Sequence, residues 1–152
     1  MRNALKFLVI PVFLLIASCK KEAGNVSSQT ISLLQHKWTL ISSGVVFPDN
    51  ATLNSRYEGV PTDYYQFGAN DSLVISQSGQ VNLPQIPLSF TTSYSFIDNN
   101  RITYGITPGI EIQIKTLTNN MLVLSNTATH TVINSGVVIA TYTGTKTDSL
   151  SR

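Results

Sequence analysis

Apolar residues follow three different patterns along this chain. Phe7 to Ala17 is one apolar run behind the basic residues Arg2 and Lys6. Ser28 to His36 carries a partial helical face, Ile31, Leu33 and Leu34, with Ser28 placed as an N-cap. From Lys37 onward the period is two. Trp38, Leu40 and Ser42 alternate with Thr39 and Ile41, and Tyr65 pairs with Phe67 as Tyr94 does with Phe96. Ile110, Ile112 and Ile114 alternate with Glu111, Gln113 and Lys115, the pattern of a half-buried strand. Further apolar segments are Leu73–Ile75, Met121–Leu124, Thr129–Ile133 and Val137–Thr143. Turn residues separate them at Gly68–Asp71, Asp98–Asn100, Thr118–Asn120 and Asn134–Gly136, the last a hairpin signal.

Strands joined by tight turns, after one short helix, predict an all-β antiparallel meander. Eight or nine such strands close into a barrel or pack as two sheets, because open edges invite association. Phe47 to Thr62, with Pro48, Asn50, Asn54, Gly59 and Pro61, is expected to be a loop. Gln80 to Pro87 carries Pro84 and Pro87, which exclude it from a central strand. The chain of 152 residues shows no internal repeat and reads as one domain over 30–152.

The first apolar run falls short of the about 20 residues that a spanning helix needs. With Pro11 inside it, it fits the core of a secretory signal better than a membrane helix. Ile16-Ala17-Ser18-Cys19 resembles the lipobox of bacterial lipoprotein signals, with isoleucine where leucine is commoner. The resemblance implies removal of residues 1–18 and lipidation of Cys19, the chain's one cysteine. A buried inert thiol is the alternative, and Lys20-Lys21-Glu22 beside it argue against that. Several acyl chains at about 0.8 kcal/mol per buried CH₂ anchor stably where one is marginal. The membrane is then a partner through Cys19, and residues 19–29 are a tether with a reach of roughly 17 Å. The expected location is the bacterial cell envelope, lipid-anchored in the outer membrane, with the leaflet left open. Lys20 stands where an aspartate is associated with inner-membrane retention.

Processing changes the charge. The full chain has ten Lys+Arg and eight Asp+Glu. Losing Arg2 and Lys6 leaves eight of each sign, a net charge of zero. Lys20-Lys21 is the longest basic run, so no nucleic-acid partner is expected.

"LLQHKWTLISSG", "YYQFGANDSLVIS", "YSFIDNNRITYG" and "IEIQIKTLTNNMLVLSNT" together resemble the lipocalin-like domains of small lipoproteins in the Bacteroidota. The resemblance spans roughly Ile31 to Thr143. It implies an up-and-down barrel of about eight strands, closed at one end near Trp38, and no reaction. His36-Lys37-Trp38 lacks the glycine of the usual Gly-x-Trp.

Little else points to chemistry. His36 and His130 have no His, Cys or acid at metal-ligand spacing. The acids are scattered, and neither a Gly-x-Ser-x-Gly nor a Gly-rich phosphate loop occurs. The chain is therefore expected to be no enzyme and to use no cofactor or metal. Trp38 either plugs the closed end or floors a cavity. Phe47, Tyr57, Tyr64, Tyr65 and Phe67 flank the long first loop, which would hang over the open mouth of such a barrel. Arg56 either pairs with a ligand carboxylate or is a solvated loop arginine. Trp38, Phe47, Arg56, Tyr57, Tyr65 and Phe67 are the candidate ligand contacts. Two functions stay open: a module binding a small apolar or amphipathic ligand, and a filled structural or interaction module whose protein partner is unidentified.

Overall fold

In a computed structural model describing residues 26–152 except 82, 84, 107 and 108, the period-two segments become nine strands. The expected signal peptide, Cys19 and most of the tether lie outside the described residues. Helix α1 is Ser28–Leu34, capped by the Ser27 hydroxyl accepting from the Thr30 N–H. The cap thus falls one residue before the expected Ser28, and the last residues of the expected tether are helical. The strands are β1 Lys37–Val46, β2 Ser55–Glu58, β3 Tyr64–Phe67, β4 Ser72–Gln77 and β5 Leu88–Asp98. Then follow β6 Arg101–Tyr104, β7 Ile110–Leu117, β8 Met121–Asn134 and β9 Val137–Ser151.

All pairings are antiparallel, and β1 closes the sheet by pairing with β9. Eight strands, β1 and β3 to β9, form the closed barrel; β2 is extra and lies beside the second half of β1. The expected loop from Phe47 to Thr62 is therefore partly ordered: a 3-10 turn at Ala51–Leu53 and then β2. The Asn54 side chain accepts from the Phe47 N–H at 2.7 Å and folds the segment back onto β1.

A bulge decides what β1 points inward. Leu40 pairs with Leu150 and Ser42 with Ser149, leaving Ile41 as the extra residue. Trp38 and Leu40 face inward before it, Ser43 and Val45 after it. The expected Trp38–Leu40–Ser42 face is thus broken at its third member, and Ile41 is turned out to solvent.

Leu40, Phe67, Leu73, Ile102, Leu122 and Leu150 fill the barrel's lower half. Leu34 of α1 covers this end, and the Trp38 indole N–H donates to the Leu34 carbonyl at 3.0 Å. The backbone N–H of Ser27 donates to Asn99 Oδ1 at 2.7 Å, tying the helix to the β5–β6 turn. The closed end predicted near Trp38 is where the structure places it.

The other end is uneven. β7 pairs with β8 only as far as Ser125, and β1 pairs with β9 only from Thr145. The rest of β8 and β9 projects past the barrel as a two-stranded ribbon. Ser135 and Gly136, with φ of 50° and 82°, turn it between the paired residues Asn134 and Val137. Positive φ at both central residues is what a two-residue hairpin of matching twist requires.

Candidate functional site

At the open end a cavity of about 350 Å³ enters the barrel. Val45 of β1, Leu88 of β5, Ala128 of β8 and Val81 and Leu83 of the Gln80–Pro87 loop give it apolar walls. Ser43, Gln77 and Lys146 are polar groups on the same lining. They belong to one network centred on Asp148, which is 3% exposed.

Asp148 is inward because β9 alternates: Leu150, Asp148 and Lys146 share the face that packs on Leu122 and Leu124 of β8. Its Oδ1 accepts a hydrogen bond from the Ser43 hydroxyl. Its Oδ2 accepts from the Tyr65 hydroxyl and from Lys146 Nζ, both at 2.8 Å. Gln77 Nε2 donates to the Tyr65 oxygen at 3.3 Å. A buried carboxylate persists only when paired and hydrogen-bonded in this way. Burial, and then the adjacent Asp148 charge, push the Tyr65 phenol well above its ordinary range. The same two causes raise Tyr104. Tyr65 is therefore a neutral donor at any physiological pH.

Lys146 is the network's opening to the cavity. Its side chain is 30% exposed against 4% for Asp148, so the stem is packed and the ammonium reaches the lining. An ammonium carries three donors and Asp148 takes one.

A second buried acid braces the rim from outside. Asp63, 0% exposed, accepts from the Tyr57 hydroxyl at 2.6 Å and from the N–H groups of Ser78 at 2.7 Å and Val60 at 3.1 Å. Burial is the largest single influence and raises this carboxyl. The Tyr57 and backbone donations together outweigh it and leave Asp63 below its ordinary value. The bonds join the β2–β3 connection to the end of β4.

The six expected ligand contacts are not brought together. Trp38 and Phe67 are core residues near the closed end. Phe47 is buried at the root of the ribbon, edge-on to His130 with centroids 6.1 Å apart. Tyr57 is held on Asp63, and Arg56 is exposed on β2 and paired with Glu58. Tyr65 alone touches the network beneath the cavity. Ser43, Gln77, Lys146 and Asp148 were not singled out from the sequence. The alternation of Lys146, Asp148 and Leu150 on one face was the available signal, and the bulge at Ile41 hid Ser43.

A larger depression of about 440 Å³ lies on the outer wall where β7 and β8 diverge, lined by Glu111, Gln113, Lys115 and neighbouring polar residues. It is lined by polar side chains and lies outside the barrel. Among the described residues no three His, Cys, Asp or Glu side chains cluster as a metal would need. None of the described helices is long and apolar enough to cross a membrane.

No family model matches the chain, and no curated protein or solved structure matches it significantly.

Proposed function

We propose that this protein is a lipid-anchored, lipocalin-like lipoprotein of the bacterial envelope, and that its barrel mouth binds one small amphipathic molecule. The observation that carries the reading is the cavity of about 350 Å³ with apolar walls and a hydrogen-bonding network below. Its size sits at the lower end of the roughly 300–1,000 Å³ of ligand sites. An eight-stranded barrel leaves room for one such ligand. The polarity gives the ligand a direction. Its polar group meets Lys146, Gln77 and Ser43, and its apolar part lies between Val45, Leu88 and Ala128. Because Lys146 has donors to spare, the preferred group is an oxygen acceptor. The lipid anchor rests on Ile16-Ala17-Ser18-Cys19 alone, and no catalytic role is assigned.

Thermal unfolding with a panel of fatty alcohols, monoacylglycerols, fatty acids and isoprenoids tests the ligand reading. A true ligand stabilises by about 2.7 kcal/mol at a hundredfold excess over Kd. Ala128→Phe, which fills the cavity, should remove the shift. If no compound raises the melting temperature, or if Ala128→Phe leaves the shift unchanged, the mouth is not the site. Trp38, at the far end, is a poor optical reporter of this event.

A further inference from the structure

The projecting ribbon has a composition that barrel strands rarely expose. From Thr116 through Thr145 there is no Asp, Glu, Lys or Arg. Ile133, Val137, Val138 and Ile139 are 61%, 64%, 58% and 61% exposed, and the first three residues of β9 present apolar side chains on both faces. Val137–Thr143 runs along β8 on one edge and lies beyond the last rung of the β1–β9 ladder on the other.

We propose that this edge of β9 is a self-association site, where a second copy of the chain pairs antiparallel along Val137–Thr143 about a two-fold axis. Edge strands that must stay solitary are protected by charge, proline, cover or a bulge. Here the segment has no charge and no proline, its one bulge, at Ile139, leaves Ala140–Thr143 in unbroken register with β8, and a two-stranded ribbon alone is marginally stable in water. A charged partner would find no complement. An identical uncharged strand meets no like charge, and a two-fold contact needs only one self-complementary patch. Across two copies the four side chains, about three-fifths exposed, offer roughly 300–600 Å² of apolar surface, taking about 60–120 Å² per large aliphatic side chain. Paired backbone, the threonines and Tyr142 extend the contact toward the about 1,200 Å² at which specific interfaces begin. Insertion into a bilayer fits less well, because the tip is Asn134-Ser135-Gly136 and both edges would carry unpaired backbone groups into hydrocarbon.

Oxidative cross-linking of the full chain in the cells that make it tests this. Cysteines are placed singly at Ile139, Ala140 and Thr141, with copper–phenanthroline as oxidant. A disulfide needs Cα atoms about 4.4–6.8 Å apart, so near the axis one or two of these positions should give a dimer of twice the chain mass. Cysteine at Asp49, on an exposed loop, should not. Ile139→Lys, a change at a solvent-facing side chain, should cut the dimer yield at position 141 at least tenfold while leaving the melting temperature within about 2 °C. No dimer at any of the three positions, equal yield from the Asp49 position, or a yield unmoved by Ile139→Lys would overturn the proposal. Adducts with a protein of another mass would overturn it too, in favour of a foreign strand.

Discussion

Tyr65 and Asp148 lie 83 positions apart, and the phenol donates to the carboxylate at 2.8 Å inside the barrel. The bond joins β3 to β9 across the interior, below the cavity. It also makes Asp148 a junction, because Ser43 and Lys146 donate to the same carboxylate. Removing the acid strands three donors at once, one of them charged. Asp148→Ala should therefore cost about 3–5 kcal/mol in urea unfolding, the range for breaking a buried pair from one side. Tyr65→Phe should cost about 1–3 kcal/mol, since an acceptor with other donors is left behind. A double variant, Lys146→Met with Asp148→Leu, should lie nearer wild type than Asp148→Ala. Additive losses would show that the two charges do not act as a pair.

Two buried groups give the stability curve opposite limbs. The folded Asp63 carboxyl titrates below its ordinary value. Its contribution is fully present above that ordinary value and is lost as pH falls through the lower folded one. Tyr65 is raised, so its contribution is complete below the ordinary phenol range and is lost as pH rises past that range toward the higher folded value. Asp63→Asn should flatten the acid limb, and Tyr65→Phe should flatten the alkaline limb and leave the acid one. Unfolding midpoints from pH 2 to 11 would check both, and an acid limb unchanged in Asp63→Asn would remove Asp63 from the account.

The barrel was readable because its strands announce themselves by alternation. Ile112 and Ile114 are 4% and 6% exposed, as their period requires, although Ile110 at the strand's start is open. Asn134-Ser135-Gly136 likewise supplies residues that accept the hairpin's positive φ. β2 was not readable: Ser55–Glu58 is four residues long with one apolar side chain, too few to show a period. The site was hidden for another reason. Lys146 and Asp148, two apart in a threonine-rich strand, look like solvated charges until the partners that bury them are known. Of the aromatics near the first loop, Phe47, Tyr57, Tyr65 and Phe67 are taken up by packing, which their sequence positions do not reveal.

Gly144 should be irreplaceable at the root of the ribbon. A Cβ there would stand 2.4 Å from the Val46 carbonyl oxygen and 2.7 Å from the Phe47 ring. Neither neighbour is free to yield, since Val46 is the last rung of the β1–β9 ladder and Phe47 is 3% exposed. Gly144→Ala is expected to cost about 1–3 kcal/mol, the usual range for overpacking. It should also loosen the ribbon, read as faster amide exchange at His130 and Tyr142. Gly136→Ala, at positive φ but with nothing within 4 Å, should strain the turn and leave that root exchange unchanged.

The closed end offers the last test. The Arg152 guanidinium lies over the Trp38 indole, 4.8 Å from its centroid, while the ring is itself 0% exposed. The cation stacks on a face of the ring, and the Arg152 backbone N–H donates to the Asn120 carbonyl at 3.4 Å. At a partly exposed site such a contact is worth about 0.5–1 kcal/mol. Arg152→Ala should lower stability by that amount and shift the Trp38 emission to longer wavelength as water reaches the indole. Arg152→Lys should recover part of the stability but less of the emission, because an ammonium covers the ring less than a planar guanidinium does. An emission maximum unchanged in Arg152→Ala would mean that Leu34 and the barrel wall shield the tryptophan unaided. Arg152 would then be a passenger rather than a seal.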